Sequence, residues 1–136
     1  MNAKLEALRK PIVPARVRRI DGGFAFLPHR FLRDGFLSAL DRDELALYVF
    51  LLLGGNREGV SFYRYDAICS LLALTLDDYI AARNALIRKD LVAFDGTRFQ
   101  VLSLPDKIDE QPAPEDQHHR DPASIRAAIL AALDHD

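Results

Sequence analysis

Apolar residues recur along this chain with two different periods, and the switch between them marks its organisation. Ile68, Leu71 and Leu72 are spaced three and four apart, so they share one face of a short helix. Ala73 and Leu74 make a turn. Thr75 then has the character of an N-cap, with Asp78 three residues on in a weak capping-box arrangement. A second helix is expected over about residues 76–89, with Tyr79, Ala82, Leu86 and Ile87 on its inner face. From Leu91 the period falls to two. Residues 91–94 and 97–102 flank Asp95-Gly96, a two-residue hairpin signal. With that turn, Phe94 faces Thr97 and Val92 faces Phe99. Val92, Phe94, Phe99 and Val101 then line one side, and Ala93, Arg98 and Gln100 the other.

Upstream, Asp41 is a good N-cap and Glu44 follows three residues later. The helix they open, about residues 42–53, holds Leu45, Leu47, Tyr48, Val49, Phe50, Leu51, Leu52 and Leu53. It is apolar nearly all round, which predicts a buried central helix ended by Gly54-Gly55-Asn56. Pro28 opens a short helix carrying Phe31 and Leu32, broken at Gly35, and Phe36, Leu37 and Leu40 continue the apolar pattern. Residues 59–63 alternate as a short strand does. Residues 2–10 suit a short helix with Leu5 and Leu8 on one side, stopped by Pro11 and Pro14. Val17 and Ile20 suit a strand, turned at Asp21-Gly22-Gly23 and paired with residues 24–26. The alternative is an extended arm that packs Phe24 and Phe26 onto the core.

Residues 105–122 change character, with four prolines, acids, Gln and His and few apolar positions, as a flexible linker does. Ser124 then caps a last helix, about residues 125–133, whose Ile125, Ile129, Leu130 and Leu133 form an apolar stripe. Such a stripe needs a partner surface on its own domain, a second copy or another protein. The expected layout is an N-terminal arm at 1–27, a folded body at 28–104, an acidic linker at 105–122 and a C-terminal amphipathic helix at 123–136.

Charge sharpens this layout. The net charge of −2 over 136 residues divides into +5 in residues 1–20, −2 in residues 21–104 and −5 in residues 105–136. Both ends are either solvated or used, the basic arm against phosphates. Hydrophobic residues at 49% suffice for a core. The lone Cys69 excludes an internal disulfide framework and fits a reducing compartment. The longest apolar run, residues 45–53, is nine residues and too short to span a bilayer. With no apolar leader core near Met1, a soluble cytoplasmic protein is expected, without membrane contact.

Helix, turn, helix and hairpin in that order resemble the winged helix-turn-helix superfamily over roughly residues 40–102. The resemblance implies a mainly α fold with a small β-hairpin wing. The helix at 42–53 takes the place of the supporting first helix, and residues 59–63 that of the short first strand. From Phe26-Leu27-Pro28 to Val101-Leu102-Ser103-Leu104-Pro105 the chain also resembles small helix-turn-helix proteins of bacteria, some linked to mobile elements or replication initiation.

By that resemblance the helix at 76–89 would meet double-stranded DNA with Asp77, Asp78, Ile80, Ala81, Asn84, Ala85 and Arg88 on its outer face. Asn84 can pair with adenine and Arg88 with guanine or phosphate. Lys89 would reach a backbone at the helix end, Tyr63 and Arg64 would donate to phosphates, and Arg98 would serve from the wing. Arg16, Arg18 and Arg19 of the arm would add phosphate contacts. Two-fold binding would use a homodimer formed through the N-terminal segment or residues 125–133. Asp77 and Asp78 suit the helix dipole but face the phosphates in the usual pose. Many such motifs place Gly where Ala73 stands; a left-handed Ala costs roughly 1 kcal/mol, so a different turn geometry is expected. Two functions follow. One is a DNA-binding regulator of transcription, replication or transposition. The other is an adaptor that uses the winged helix or the last helix on a protein partner without touching DNA.

Other chemistry finds little support. His118-His119, near Asp116 and Asp121, lack the spacing of a metal site. Cys69 has no evident basic neighbour and reads as a small buried residue. His29 belongs to a surface helix start. Neither Gly22-Gly23 nor Gly54-Gly55 leads into the Gly-Lys-Ser/Thr of a phosphate loop. No enzyme activity, cofactor or metal is expected.

Overall fold

The centre of the molecule is the helix that the apolar run at 45–53 predicts. The structure, a computed structural model, describes residues 3–108; the expected linker beyond Ile108 and the helix at 125–133 lie outside the described residues. Helix α3, Arg42–Gly54, starts where the Asp41 carboxylate accepts the Glu44 N–H at 2.8 Å and ends as Gly55 turns extended. Leu47, Tyr48 and Leu51 are buried. Burial is confined to one sector, because Val49 and Leu53 on the opposite side remain exposed. Apolar residues all round therefore do not make α3 covered all round.

Four neighbouring elements cover that sector. Short helix α2, Arg30–Arg33, brings the Phe31 ring parallel to Tyr48 at 5.2 Å, and Phe36 packs behind it while Leu32 points to solvent. Burial pushes the Tyr48 hydroxyl up to about 12. Helix α4, Tyr65–Leu72, contributes Ile68 to the core. Leu71 does not share that face as its spacing predicts: it is 68% exposed, since an eight-residue helix crossing α3 buries little more than one turn. Helix α5, Leu76–Arg88, buries Tyr79, Ala82, Ala85 and Leu86. The expected inner face is thus right at three positions. Ile87, one residue beyond Leu86 and about 100° round the helix, faces outward instead, and Ala85 takes the inner place.

Three short strands close the core. β1 (Val60–Ser61), β2 (Val92–Phe94) and β3 (Phe99–Val101) form an antiparallel sheet in the order β1-β3-β2. Gly59 precedes β1 at φ +83°, and a Cβ there would stand 2.7 Å from the Val101 carbonyl, so only glycine allows the strand to approach β3. The hairpin register differs from the two-residue turn. Phe94 pairs with Phe99 and Val92 with Val101, leaving residues 95–98 as a four-residue loop. A shift of two residues preserves every face, so Val92 and Phe99 are buried as expected while Ala93 and Gln100 are exposed.

The N-terminal segment departs further from expectation. Helix α1, Ala3–Arg9, forms but buries nothing, and Pro14–Arg16 is a single 3-10 turn. No strand forms between Val17 and Phe26. Phe24 and Phe26 are not packed on the core either, being 65% and 74% exposed. An isolated two-stranded ribbon is marginal without a surface to lie on, whatever its local propensity. At the other end the chain stays tied to the body past residue 104. The Arg30 guanidinium donates to the carbonyls of Leu104, Pro105 and Asp106 at 3.4, 2.8 and 3.3 Å. Among the described residues no helix is long and apolar enough to cross a membrane.

Between α4 and α5 the chain turns at Ala73, which adopts φ 56°, ψ 44°. The expected difference in turn geometry is therefore absent: alanine is held in the left-handed conformation that glycine usually fills. Leu74 N–H reaches back to the Cys69 carbonyl at 3.0 Å, a Schellman-type closure. The Thr75 hydroxyl accepts the Asp78 N–H at 3.0 Å to start α5. Ala73→Gly should accordingly raise stability by about 0.5–1 kcal/mol, the left-handed penalty less the added chain entropy. Urea denaturation checks this, and a destabilised variant would contradict the strain.

Candidate functional site

The surface of α5 opposite the core carries Asp77, Ala81, Asn84 and Arg88, spaced four, three and four apart. Asp77, Ala81 and Arg88 are exposed and Asn84 is half-buried. Asp77 and Asp78 occupy the first turn, where the helix dipole favours them, and Arg88 the last. The small Ala81 midway leaves room for close approach. The Asn84 side-chain carbonyl accepts from Arg83 Nε and Nη2, both at 3.4 Å, the limit of a hydrogen bond. Its amide donors have no partner among the described residues.

Lys89 is not on this surface. It is 6% exposed, and its ammonium donates to the Ala39 carbonyl at 2.8 Å and to the Glu44 carboxylate. The expectation that it reaches a backbone at the helix end is therefore wrong. Residues 82, 86 and 89 continue one inner stripe, and the buried carboxylate at the start of α3 draws the lysine in. Burial pushes the Glu44 carboxyl up, to about 7, with the Lys89 ammonium opposing. Glu44 thus serves as more than a capping residue.

The other expected contacts lie on other elements and differ in exposure. Tyr63 is half-exposed, its ring edge-on to Phe50 at 5.0 Å and lying over Gly54. Arg64 is exposed at the N-cap of α4 and loosely paired with Asp66 at 3.7 Å. In the hairpin loop, Asp95 accepts the Thr97 and Arg98 N–H groups at 2.9 and 2.6 Å and the Arg98 Nε at 2.9 Å. These hydrogen bonds hold the Asp95 carboxyl down, at about 2. Arg98 is thus engaged by its own loop, though in an exposed pair of little energy. Arg16, Arg18 and Arg19 are exposed, as is every described residue up to His29.

Arg83, which the sequence pattern does not single out, ties the parts together. Its guanidinium lies 5.5 Å from the Tyr79 ring and 5.0 Å from the Phe94 ring, bridging α5 to β2. Phe94 in turn stacks on Phe99 at 4.3 Å. The i, i+4 spacing of Tyr79 and Arg83 is visible in the sequence, but the bridge to Phe94 exists only once the hairpin folds back.

Among the described residues, no group of three His, Cys, Asp or Glu side chains could hold a metal ion; His118 and His119 lie outside them. No family model matches the chain, and no curated protein or solved structure matches it.

Two outcomes test this geometry. Glu44→Ala should cost about 3–5 kcal/mol by leaving the Lys89 ammonium buried and unpaired, whereas Glu44→Leu with Lys89→Met should be near wild type in urea denaturation. Equal losses in both variants would show that packing, not the pair, matters there. Asp95, whose folded value is depressed, contributes stability that is complete above about pH 4 and is lost as pH falls through about 2. Backbone amide shifts of Thr97 and Arg98 should titrate with that low midpoint; a midpoint near 4 would refute the closed loop.

Proposed function

We propose that this chain is a winged helix-turn-helix protein that binds double-stranded DNA and regulates transcription, replication or transposition. The observation that carries the reading is the outward stripe of α5. It presents half-buried Asn84 and exposed Arg88 beyond a small Ala81, on a helix whose opposite face is locked into the core. The element order α3-β1-α4-α5-β2-β3 and the sheet order β1-β3-β2 are compatible with a winged-helix-like fold, in which α5 is the reading helix and β2-β3 the wing. Asn84 would read adenine and Arg88 guanine or a phosphate. Tyr63 and Arg64 at the start of α4 would hold the backbone, Arg98 would leave Asp95 for a phosphate, and Arg16, Arg18 and Arg19 would supply non-specific affinity.

A second reading rests on the acids. Asp77 and Asp78 stand in the first turn of α5, where a duplex would bring phosphates. An adaptor that meets a protein partner would find them no obstacle, and fold alone does not choose.

Fluorescence anisotropy with duplex DNA across a salt series separates the two. Under the DNA reading, affinity falls steeply with salt. Replacing Arg16, Arg18 and Arg19 by Ala should lower the log–log salt slope by about 3 at most, roughly one for each phosphate no longer neutralised. Arg88→Ala with Arg98→Ala should weaken binding further, and unaltered binding would remove those two residues from the interface. If the wild-type protein binds no duplex at low salt, the adaptor reading stands.

A further inference from the structure

Between α3 and α4 runs an open apolar groove of about 540 Å³, lined by Leu45, Val49, Phe50 and Leu53 of α3 and by Leu71 and Leu72 of α4, with Arg42 at its rim. Leu53 and Leu71 are 71% and 68% exposed. The exposed leucines here are contiguous and line one trough, which offers an apolar segment a surface to pack on. None of the residues assigned to DNA contributes to it.

We infer that this groove is the docking site for residues 124–133 of the same chain, laid antiparallel to α3. Three observations select that occupant. First, the spacing matches. Leu45, Val49 and Leu53 stand four apart along α3, and Ile125, Ile129 and Leu133 stand four apart in the sequence of the tail, so a helix formed there would set its ridges into the grooves of α3. Ala128 and Ala132 beside that stripe allow close approach. Second, the charges match. Among the described residues Arg42 is the one charged side chain lining the groove, and an antiparallel tail sets Asp134 beside it. The same orientation sets Arg126 at the C-terminal end of α3, where the last carbonyls carry partial negative charge. The N-terminal arm, with its charge of +5, would bring cations to Arg42 instead. Third, the tether reaches. Arg30 holds the chain to the body as far as Asp106, and the 15 residues between Ile108 and Ser124 extend up to about 50 Å. A domain of this size has a radius of gyration of about 13 Å, so the tail reaches any point of its own surface at high effective concentration.

The test uses the full chain. In a Cys69→Ala background, Leu71→Cys with Leu130→Cys should form an intramolecular disulfide under mild oxidation at micromolar concentration, and the product should run as a monomer. In the chain without those cysteines, amide exchange over residues 125–133 should be slowed at least about tenfold, and Leu53→Asp or Ile129→Asp should abolish the protection. Position 53 is exposed, so Leu53→Asp should still unfold in one cooperative transition, its midpoint lowered only by the docking it loses, and Ile129→Asp should lower it equally; this separates lost docking from lost folding. Disulfide-linked dimers would assign the groove to a second copy and overturn docking in cis. Absence of both disulfide and protection would overturn the docking itself, as would protection that survives Leu53→Asp. No part of this test reads DNA, so it stands or falls apart from the proposed function.

Discussion

Lys89 carries its ammonium into the interior, between the Glu44 carboxylate and the Ala39 carbonyl, and much else follows from that placement. It joins the C-terminal end of α5 to the N-terminal end of α3, the two helices that give Leu47, Leu51, Tyr79, Ala82 and Leu86 to the core. Desolvating both charges offsets most of their attraction, so such a pair adds little net stability. It is nevertheless demanding of geometry, because either charge alone would be buried without compensation. With Lys89 turned inward, Tyr79, Ala82 and Leu86 must be inward too. Ala81, Asn84 and Arg88 are left facing out. One interaction thus withdraws a cation from the surface and sets the rotation of the helix that carries the remaining candidates.

The hairpin is positioned from the same helix. Arg83 lies over Tyr79 and Phe94 together, and Phe94 stacks on Phe99, so the loop at 95–98 is held relative to α5 through a chain of ring contacts. At the other end of α5, left-handed Ala73 accepts strain to set the angle between α4 and α5. The candidate surface is therefore built on a helix fixed to the core, while the basic arm, residues 3–27, is exposed throughout. The apolar groove uses the side of α3 that α5 does not cover. Docking there and contact through α5 need not compete.

Several features are legible from local chemistry. Asp41 and Thr75 cap their helices as their positions predict, because a side chain that satisfies a backbone N–H three residues on needs only its neighbours. The hairpin faces agree with the pattern although the register does not, because a shift of two residues returns every side chain to the same side. The candidate site is less legible. Arg88 is exposed and Asn84 half-buried. Lys89 is drawn inside, and Arg83 shows only its i, i+4 spacing from Tyr79, because the partners that place them, Glu44 and Phe94, lie on other elements.

Caps determine by themselves where α3 and α5 begin, and period-two alternation determines which side of the hairpin is apolar. They act over a few residues and need no knowledge of the whole. Tertiary structure decided which apolar residues are covered. Leu53, Leu71 and Ile87 match their buried neighbours in chemistry but have none of the described elements packed over them. It also decided which charges are spent inside, since burying Lys89 is tolerable only where folding brings Glu44 to meet it. The N-terminal segment shows the same division: Val17, Ile20, Phe24 and Phe26 have the composition of strands, yet none forms, because strand pairing draws its stability from a surface that local sequence does not supply.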